Sequence, residues 1–355
     1  MSLTGRGGRY LIVKLAALGD VVMASTLVGA IRAREPAAHV TWLCGAGVAP
    51  LVRLFDGVDE VLVVDEVALM RGRPAARLRA LFTLWWTLAS RRFDVTLLGH
   101  ADRRYRAALG VARLGQVRAL RPREPGRTLP IPDRYFGDEY ARLLDVERSR
   151  GPITGHAALA SLRVPLPQPP ASDRIGVVLV PGGTRNVLRE SALRRWPVER
   201  YAEVAAALRR ADRRVTLVGD AGDDWVRPHF AGLDVRDEIG AQSIAGTLSL
   251  MAHADLVISH DTGPLHLAGL VRAPVLALFG PTTPAQFLPR HPGAEAIWGG
   301  GDLACRPCYD GREFAACTSN LCMQDIPVET VMRRALARLG TADPARGAPA
   351  AIFQP

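Results

Sequence analysis

The residues most suited to chemistry follow short apolar runs, and the first of them is Asp20. It ends the sequence Leu18-Gly19-Asp20, which comes after an apolar run of strand length at residues 10–15. A carboxylate between a strand and a helix can act as a general base. The alternative is a helix N-cap, because an aspartate there accepts hydrogen bonds from the first free amides and suits the positive helix end.

A second group lies in Ser-His-Asp-Thr-Gly-Pro-Leu-His at residues 259–266, between a predicted strand and a predicted helix. Amides near Thr262 and Gly263 suit an anion, and the glycine allows close approach. His266 can reach a phosphate or a sugar hydroxyl, and Asp261 can orient the loop or touch the ligand. The alternative is an aspartate-capped helix with a histidine in the core.

A third strand-to-loop element is Val-Pro-Gly-Gly-Thr at residues 180–184, followed by an arginine pair. Gly182, Gly183 and Thr184 suit the lining of a phosphate site, and Arg194 or Arg195 can neutralise a diphosphate. The alternative is an ordinary glycine turn with two surface arginines.

Asp223 stands in a further turn, after the apolar run at residues 215–218. A carboxylate at that place suits ribose hydroxyls. The sequence contains no G-x-G-x-x-G fingerprint, P-loop or D-x-D motif. Helix dipoles and arginine would therefore have to replace a metal ion at a sugar diphosphate.

Four of the five cysteines are close in sequence and form the pattern C-x2-C-x8-C-x4-C. Cys305, Cys308, Cys317 and Cys322 are thus candidates for a structural zinc or iron site. A disulfide pair is the alternative, although a reducing cytoplasm disfavours it. Cys44 is expected to be a buried apolar residue.

The elements that must position these residues alternate between strand-like and helix-like runs. Buried strands are predicted at residues 10–15, 40–43, 61–64 and 95–98, and again at 176–180, 215–218, 256–259 and 275–279. Predicted helices lie between them, which indicates an α/β protein with two parallel-sheet halves. In such an arrangement the ligand is expected in a central cleft, outside the carboxyl ends of the strands.

A proline-rich stretch divides the chain, because proline continues neither a helix nor a central strand. We predict an N-terminal α/β domain at residues 1–165 and a linker at 166–172. A C-terminal α/β domain at 173–340 includes the cysteine cluster at 305–322, and a flexible tail occupies 341–355.

Composition sets the class of protein. With 355 residues, 48% of them hydrophobic, the chain can bury a large core and is not a disordered protein. The longest uncharged apolar stretch, residues 80–89, is too short to span a bilayer. The N-terminus does not resemble a signal peptide, so the expected location is the cytoplasm, with peripheral contact at the inner face of the membrane as an alternative.

The net charge of +10 is unevenly distributed. Residues 1–165 hold 25 Lys and Arg against 15 Asp and Glu, whereas residues 166–355 hold 20 of each. The first half is therefore expected to meet an acidic partner, or to carry a solvated basic surface. Nucleic acid is not expected, because the basic residues are scattered and no reader motif is present.

Taken together and in this order, the motifs resemble glycosyltransferase family 9, the ADP-heptose:lipopolysaccharide heptosyltransferase family. The resemblance extends from residue 10 to about residue 339. The segments that carry it are residues 12–20, 181–184, 195–197, 259–266 and 274–282, and Cys305-x-x-Cys308 with Cys322-Met323.

The resemblance implies a GT-B fold with two Rossmann-like domains, the first binding the acceptor and the second the nucleotide-sugar donor. It implies an inverting transfer that needs no metal, with Asp20 as general base. Donor contacts fall on Asp261, Thr262, Gly263 and His266, with Asp223 near the ribose. The family commonly has lysine where this chain has Arg194, so a point charge becomes a planar fork. Some members hold iron with a cysteine cluster.

The implied reaction moves a heptose, or a related sugar, from ADP-heptose to an acidic glycan such as lipopolysaccharide core. A protein or secondary-metabolite acceptor and a nucleotide-sugar epimerase are alternatives. So is a non-catalytic anion-binding module, which would contact a membrane surface through residues 71–92 with Trp85 and Trp86. Paired aromatics at helical spacing instead favour the buried face of a helix.

Overall fold

The computed structural model describes residues 7–110, 112–120, 134–144, 157–168, 174–186, 190–309, 314–340 and 351–353. The chain divides into two compact units. The first comprises residues 1–165 with 186–189, and the second comprises residues 166–185 with 190–355. Each unit is built around one parallel sheet.

The sheet of the first unit has five strands in the order β3-β2-β1-β4-β5, and every pair is parallel. Four of these strands are the predicted ones. The fifth, β5, escaped prediction because its sequence, Gln-Val-Arg-Ala, is a polar edge strand without an apolar run. The strands are β1 (Arg9–Val13), β2 (His39–Gly45), β3 (Glu60–Val64), β4 (Val95–Leu98) and β5 (Gln116–Ala119).

Helices flank this sheet, and the helical segment that follows β1 is divided at Ser25. Thr26 turns its hydroxyl back to the Met23 carbonyl at 3.0 Å and to the Gly137 carbonyl at 2.7 Å, which fixes the break. The helices are α1 (Leu18–Ala24), α2 (Thr26–Arg34), α3 (Ala49–Val52), α4 (Glu66–Arg71), α5 (Pro74–Ala89), α6 (Arg103–Ala108) and α7 (Phe136–Ala141).

The sheet of the second unit has seven parallel strands in the order β12-β11-β10-β9-β6-β7-β8. The four predicted apolar runs form its centre. The three remaining strands lie towards its two edges and are short or mixed in character. The strands are β6 (Val177–Val180), β7 (Val215–Leu217), β8 (Arg236–Asp237), β9 (Leu256–His260), β10 (Val275–Phe279), β11 (Ala294–Trp298) and β12 (Ala351–Phe353).

The core of the second unit fixes the segment that leads into its first long helix. Trp196 is fully buried, donates its indole N–H to the Ile326 carbonyl at 3.0 Å, and packs edge-on against Tyr201. The residues just before Trp196 are thereby held beside the sheet. The helices are α8 (Val198–Arg210), α9 (Ile244–Ala252), α10 (Gly263–Leu270), α11 (Pro284–Phe287), α12 (Leu321–Gln324) and α13 (Val328–Gly340).

The predicted linker and tail are described only in part. Gln168, in the predicted linker, contacts His253 next to α9, with 2.8 Å between its side-chain oxygen and the ring Nε2; residues 169–172 lie outside the described residues. Within the predicted tail, β12 pairs in parallel with β11. A strand forms there because the short apolar run gains hydrogen bonds at the edge of the sheet.

The predicted α/β class with two parallel-sheet halves is confirmed. No helix in the described part of the chain is both long enough and apolar enough to cross a bilayer.

Candidate functional site

Asp20 lies in the first turn of α1, after the carboxyl end of β1. The helix begins without a side-chain cap, and Ala17 occupies the N-cap position. Asp20 therefore does not cap the helix. Its carboxylate instead accepts a hydrogen bond from the Lys14 ammonium, with 2.9 Å between Nζ and Oδ2, and its side chain is 36% exposed. A half-open carboxylate held at one oxygen can accept a proton at the other.

Lys14 is the partner that sequence reasoning did not select. Its side chain is only 6% exposed, and its ammonium also lies 5.6 Å from the centre of the Tyr140 ring. It is the only lysine in a chain that otherwise uses arginine. That exception, in the apolar run at residues 10–15 that leads to Asp20, was the available signal.

Two further polar groups lie at the carboxyl edge of this sheet. His100 follows β4, stacks on Tyr105 with ring centres 3.7 Å apart, and accepts the Leu15 N–H at its Nε2. Burial, together with the charge of Lys14, holds the pKa of His100 well below its usual value. The imidazole is therefore neutral, and its Nε2 is an acceptor.

Glu66 is a buried acid at the start of α4, and its Oε2 has no hydrogen-bond partner among the described residues. Burial, followed by the charge of Asp65, raises the pKa of Glu66 to about 7. The charges of Glu66 and Asp20 both raise the pKa of Tyr105, although burial and then the charge of Asp102 contribute more.

In the second unit, Asp261 is the centre of a buried cluster at the carboxyl end of β9. It accepts the Thr282 hydroxyl at 2.8 Å, and it lies 3.5 Å from the Arg194 guanidinium and 3.8 Å from His266 Nε2. Burial alone would raise the pKa of Asp261, but Arg194, His266 and Thr282 outweigh it and lower the pKa to about 2. Asp261 is thus an ionised anchor that orients Arg194 and His266.

Thr262 and Gly183 bring two of the predicted loops together. The Thr262 hydroxyl accepts the Thr184 N–H at 2.9 Å. Gly183 has a φ of +82°, and a Cβ at that position would lie 2.5 Å from the Thr262 hydroxyl. Glycine is therefore required there on two grounds, backbone conformation and space.

The start of α10 offers fewer donors than the sequence suggests. Thr262 is the N-cap, and its side chain makes no capping hydrogen bond. Gly263 supplies an amide, but Pro264 has no N–H. Any anion at this helix start therefore needs a further positive group, and Arg194 lies close by, paired with Asp261.

The Asp223 carboxylate accepts hydrogen bonds from two backbone amides. One of its oxygens accepts the Gly183 N–H at 2.8 Å, and the other accepts the Asp220 N–H at 3.0 Å. A Cβ at Gly182 would collide with this carboxylate. Contact between Asp223 and a ribose stays a prediction, and the structure gives the residue a loop-positioning role.

Arg194 and Arg195 make different contacts. Arg194 pairs with Asp261, whereas Arg195 donates to the Gly183 carbonyl at 2.7 Å and lies over the Trp225 ring. Trp225 is 40% exposed and was not predicted. An exposed indole near the loop that contains Gly183 offers a surface on which a nucleotide base can stack.

The four clustered cysteines do not form a metal centre in this structure. Cys305 is exposed, whereas Cys322 belongs to the hydrophobic core and lies against Gly280. Burial, then the charges of Cys308 and other thiols, raise the pKa of Cys322 to about 11. Across the described residues, no group of three or more His, Cys, Asp or Glu side chains is placed to hold a metal ion. The predicted zinc or iron site is therefore not supported.

A cavity of about 630 Å³ lies elsewhere in the second unit, at the amino edge of its sheet. Its lining includes Gly176, Val215 and Asp255, which precede or begin strands. None of the predicted donor residues lines it.

Comparison with known proteins shows which family this chain resembles. Residues 160–317 match the family model of glycosyltransferase family 9 (heptosyltransferase). Lipopolysaccharide heptosyltransferase 1 of Pseudomonas aeruginosa is 27% identical over 84% of this chain and 86% of its own length. Lipooligosaccharide heptosyltransferase 2 of Haemophilus influenzae is 31% identical, but the match spans 27% of this chain and 30% of that protein.

Solved structures share the fold at low sequence identity. Glycosyl transferase family 9 from Veillonella parvula superposes with a TM-score of 0.71 at 18% identity, covering 95% of this chain and 98% of its own. ADP-heptose lipopolysaccharide heptosyltransferase II of E. coli gives 0.67 at 19%, covering 93% and 98%. The iron-containing dodecameric glycosyltransferase TibC of enterotoxigenic E. coli gives 0.60 at 14%, covering 94% and 76%. The predicted GT-B type of α/β fold is confirmed.

Proposed function

We propose that this chain, which is similar to glycosyltransferase family 9 (heptosyltransferase) over residues 160–317, is a glycosyltransferase of that type. In this proposal it moves a heptose or a related sugar from ADP-heptose to a hydroxyl of an acidic glycan. Lipopolysaccharide core is the acceptor we propose, because the Pseudomonas and Haemophilus relatives are named for transfer to lipopolysaccharide or lipooligosaccharide. A cytoplasmic location goes with this proposal.

The observation that carries the proposal is the geometry of Asp20. One oxygen is fixed by Lys14, and the half-exposed side chain has no other hydrogen-bond partner in the described residues. A general base needs this combination of orientation and access.

In the proposed reaction Asp20 removes the proton of the acceptor hydroxyl. The acceptor oxygen forms a bond to the anomeric carbon from the face opposite the leaving group, and the bond between that carbon and the diphosphate oxygen breaks. The configuration therefore inverts. The nucleotide diphosphate leaves with the electron pair of the broken bond.

The second unit is the proposed donor site. Arg194 and the Gly263 amide would meet the charge that grows on the diphosphate, beside the Gly182–Gly183 turn, whose Gly183 N–H is already donated to Asp223. Asp261 supports this role because it orients Arg194 and His266 from a buried position. In this proposal the protein's own donors neutralise the diphosphate and no metal takes part.

The first unit is the proposed acceptor side. Its excess of positive charge favours an acidic acceptor, through attraction at long range. Glu66 and neutral His100 lie at the same sheet edge as Asp20 and would contact acceptor hydroxyls.

A transfer assay with ADP-heptose and heptose-free lipopolysaccharide core tests the proposal, with mass spectrometry of the glycolipid and ADP release as readouts. Asp20→Asn should lose transfer by about 100-fold or more, the effect expected for a general base, while its affinity for ADP is kept. Asp56→Asn is the matched control, because Asp56 is an exposed carboxylate in the same unit.

Three results would contradict the proposal. Full activity of Asp20→Asn would remove the base, and calorimetric binding of UDP or GDP in preference to ADP would remove the donor. Consumption of the donor without any acceptor would instead indicate an epimerase or a hydrolase.

A further inference from the structure

Helix α5 exposes a continuous apolar stripe. Leu78, Phe82 and Trp86 follow one another at intervals of four residues, and their exposed fractions are 66%, 65% and 76%. The rings of Phe82 and Trp86 are stacked, with centres 6.3 Å apart. We call Leu78, Phe82 and Trp86 the α5 stripe. Three large apolar side chains exposed on one helix face are unusual for a surface that meets only water.

The stripe is not the packing face of the helix. The opposite face buries Ala80, Leu84 and Leu88 in the core of the first unit. Of the two adjacent tryptophans, Trp85 turns inward and donates its indole N–H to the Ala108 carbonyl at 2.8 Å. The expectation that both tryptophans form a buried face is therefore wrong for Trp86.

The charged residues in the segment that carries the stripe all have one sign. Residues 71–92 contain six arginines and no aspartate or glutamate. Arg91 pairs with Glu60 of β3. Arg73, Arg77 and Arg79 are exposed and form no ion pair with another residue in the described ranges.

We infer that the α5 stripe docks this protein onto the surface of an anionic lipid bilayer, with the helix lying in the plane of the interface. Tryptophan, phenylalanine and leucine enter the boundary between headgroups and acyl chains, and the arginines meet lipid phosphates. This inference goes beyond the proposed function, because it concerns a surface and not the reaction.

Charge also favours a lipid surface over a second copy of the chain. In a twofold contact through this face, each α5 would set its arginines against those of the other α5. The arginines of the two copies would repel each other, whereas lipid phosphates would attract them. A membrane satisfies the apolar stripe and the arginines together.

Sedimentation with lipid vesicles tests the inference without any transfer assay. The full chain should bind vesicles of phosphatidylglycerol and phosphatidylethanolamine at least 10-fold more strongly than vesicles of phosphatidylcholine, and added salt should weaken the binding. Replacing Leu78, Phe82 and Trp86 together by glutamine should lower the partition coefficient at least 10-fold. Leu336→Gln is the control, since Leu336 is an exposed apolar residue of α13 in the second unit.

Two further measurements test the contribution of the arginines and the depth to which Trp86 enters the bilayer. Replacing Arg73, Arg77 and Arg79 by glutamine should weaken binding to anionic vesicles and reduce its salt dependence. Brominated lipids should quench tryptophan fluorescence of the unmodified chain and quench it less in Trp86→Phe. These substitutions are on the surface, so thermal unfolding should remain close to that of the unmodified chain.

Several outcomes would overturn the inference. They are absence of vesicle binding, equal binding to both lipid compositions, and unchanged binding of the triple glutamine variant. Concentration-dependent dimerisation that the triple variant abolishes, in the absence of lipid binding, would identify a second copy as the occupant instead.

Discussion

At the scale of single residues, Lys14 determines how Asp20 can act. A surface ion pair contributes little to stability, but this one joins a buried ammonium to a half-exposed carboxylate. The ion pair fixes the orientation of the Asp20 carboxylate, because the buried Lys14 side chain has few alternative positions. In the second unit Asp261 does the same for Arg194 and His266.

Lys14→Met should therefore lower the turnover number by about 10-fold to 100-fold, the range in which misplaced catalytic groups fall. The affinity for ADP should stay unchanged, because the proposed donor site lies in the second unit. Steady-state kinetics and calorimetry measure the two effects. Lys14→Arg keeps a charge and should recover part of the rate; equal losses in both variants would mean that this segment simply needs lysine for its fold.

Arg194→Met should weaken ADP binding by about 10-fold to 100-fold, the value of one or two charge-assisted hydrogen bonds. It also leaves Asp261 with His266 and Thr282 only, so some loss of thermal stability is expected. Arg210→Met, an exposed position at the end of α8, is the control for charge. Unchanged ADP affinity in Arg194→Met would remove this residue from the donor site.

At the scale of elements, loops at the carboxyl ends of parallel strands support one another. The loop after β6 is held by Asp223, by the Thr262 hydroxyl and by Arg195. Each of these contacts joins segments that are at least twelve residues apart in sequence, so the loop is shaped by its neighbours more than by its own residues.

Gly183→Ala tests this interlocking, and Gly232→Ala is a matched control. Both glycines have a positive φ, of +82° and +79°, but a Cβ at Gly232 meets nothing within 4 Å. Each variant should lose about 1 kcal/mol for the backbone conformation. Gly183→Ala should lose more, because it collides with Thr262, and it alone should weaken ADP binding. Equal effects in chemical unfolding and calorimetry would contradict the close contact.

At the scale of the whole molecule, buried acids make stability depend on pH. Burial, then the charge of Asp65, raise the pKa of Glu66 to about 7, so between the ordinary glutamate pKa of 4.5 and that value the folded chain binds more protons than the unfolded chain. Stability contributed by Glu66 is thus present below pH 4.5 and is lost as the pH rises towards 7.

Glu66→Gln should remove this loss. At pH 8 the variant should be more stable than the unmodified chain by up to about 3 kcal/mol, from the conversion of a pKa shift into free energy, and the difference should vanish near pH 4. Thermal unfolding at a series of pH values measures it. Glu329→Gln, at an exposed position of α13, should show no such difference; a pH-independent gain in Glu66→Gln would indicate packing instead of ionisation.

The sequence by itself determined the α/β class, the central strands and the loops that follow them, because apolar periodicity and glycine turns are local properties of the chain. It did not identify β5, β8 and β12, since edge strands owe their conformation to the neighbour with which they pair. It also did not identify β11, which lies between β10 and β12 and whose apolar run is interrupted by Glu295. The cysteine spacing suggested a metal site, but the described residues contain no group placed to hold a metal, and Cys305 is exposed whereas Cys322 is buried. Only the tertiary structure decided which carboxylates are held and by what: Lys14 at Asp20, Arg194 at Asp261, and backbone amides at Asp223. Arg194 and Asp261, like Gly183 and Asp223, follow different strands, and the folded sheet brings them together. Lys14 and Asp20 both follow β1, and their contact depends on the turn between that strand and α1.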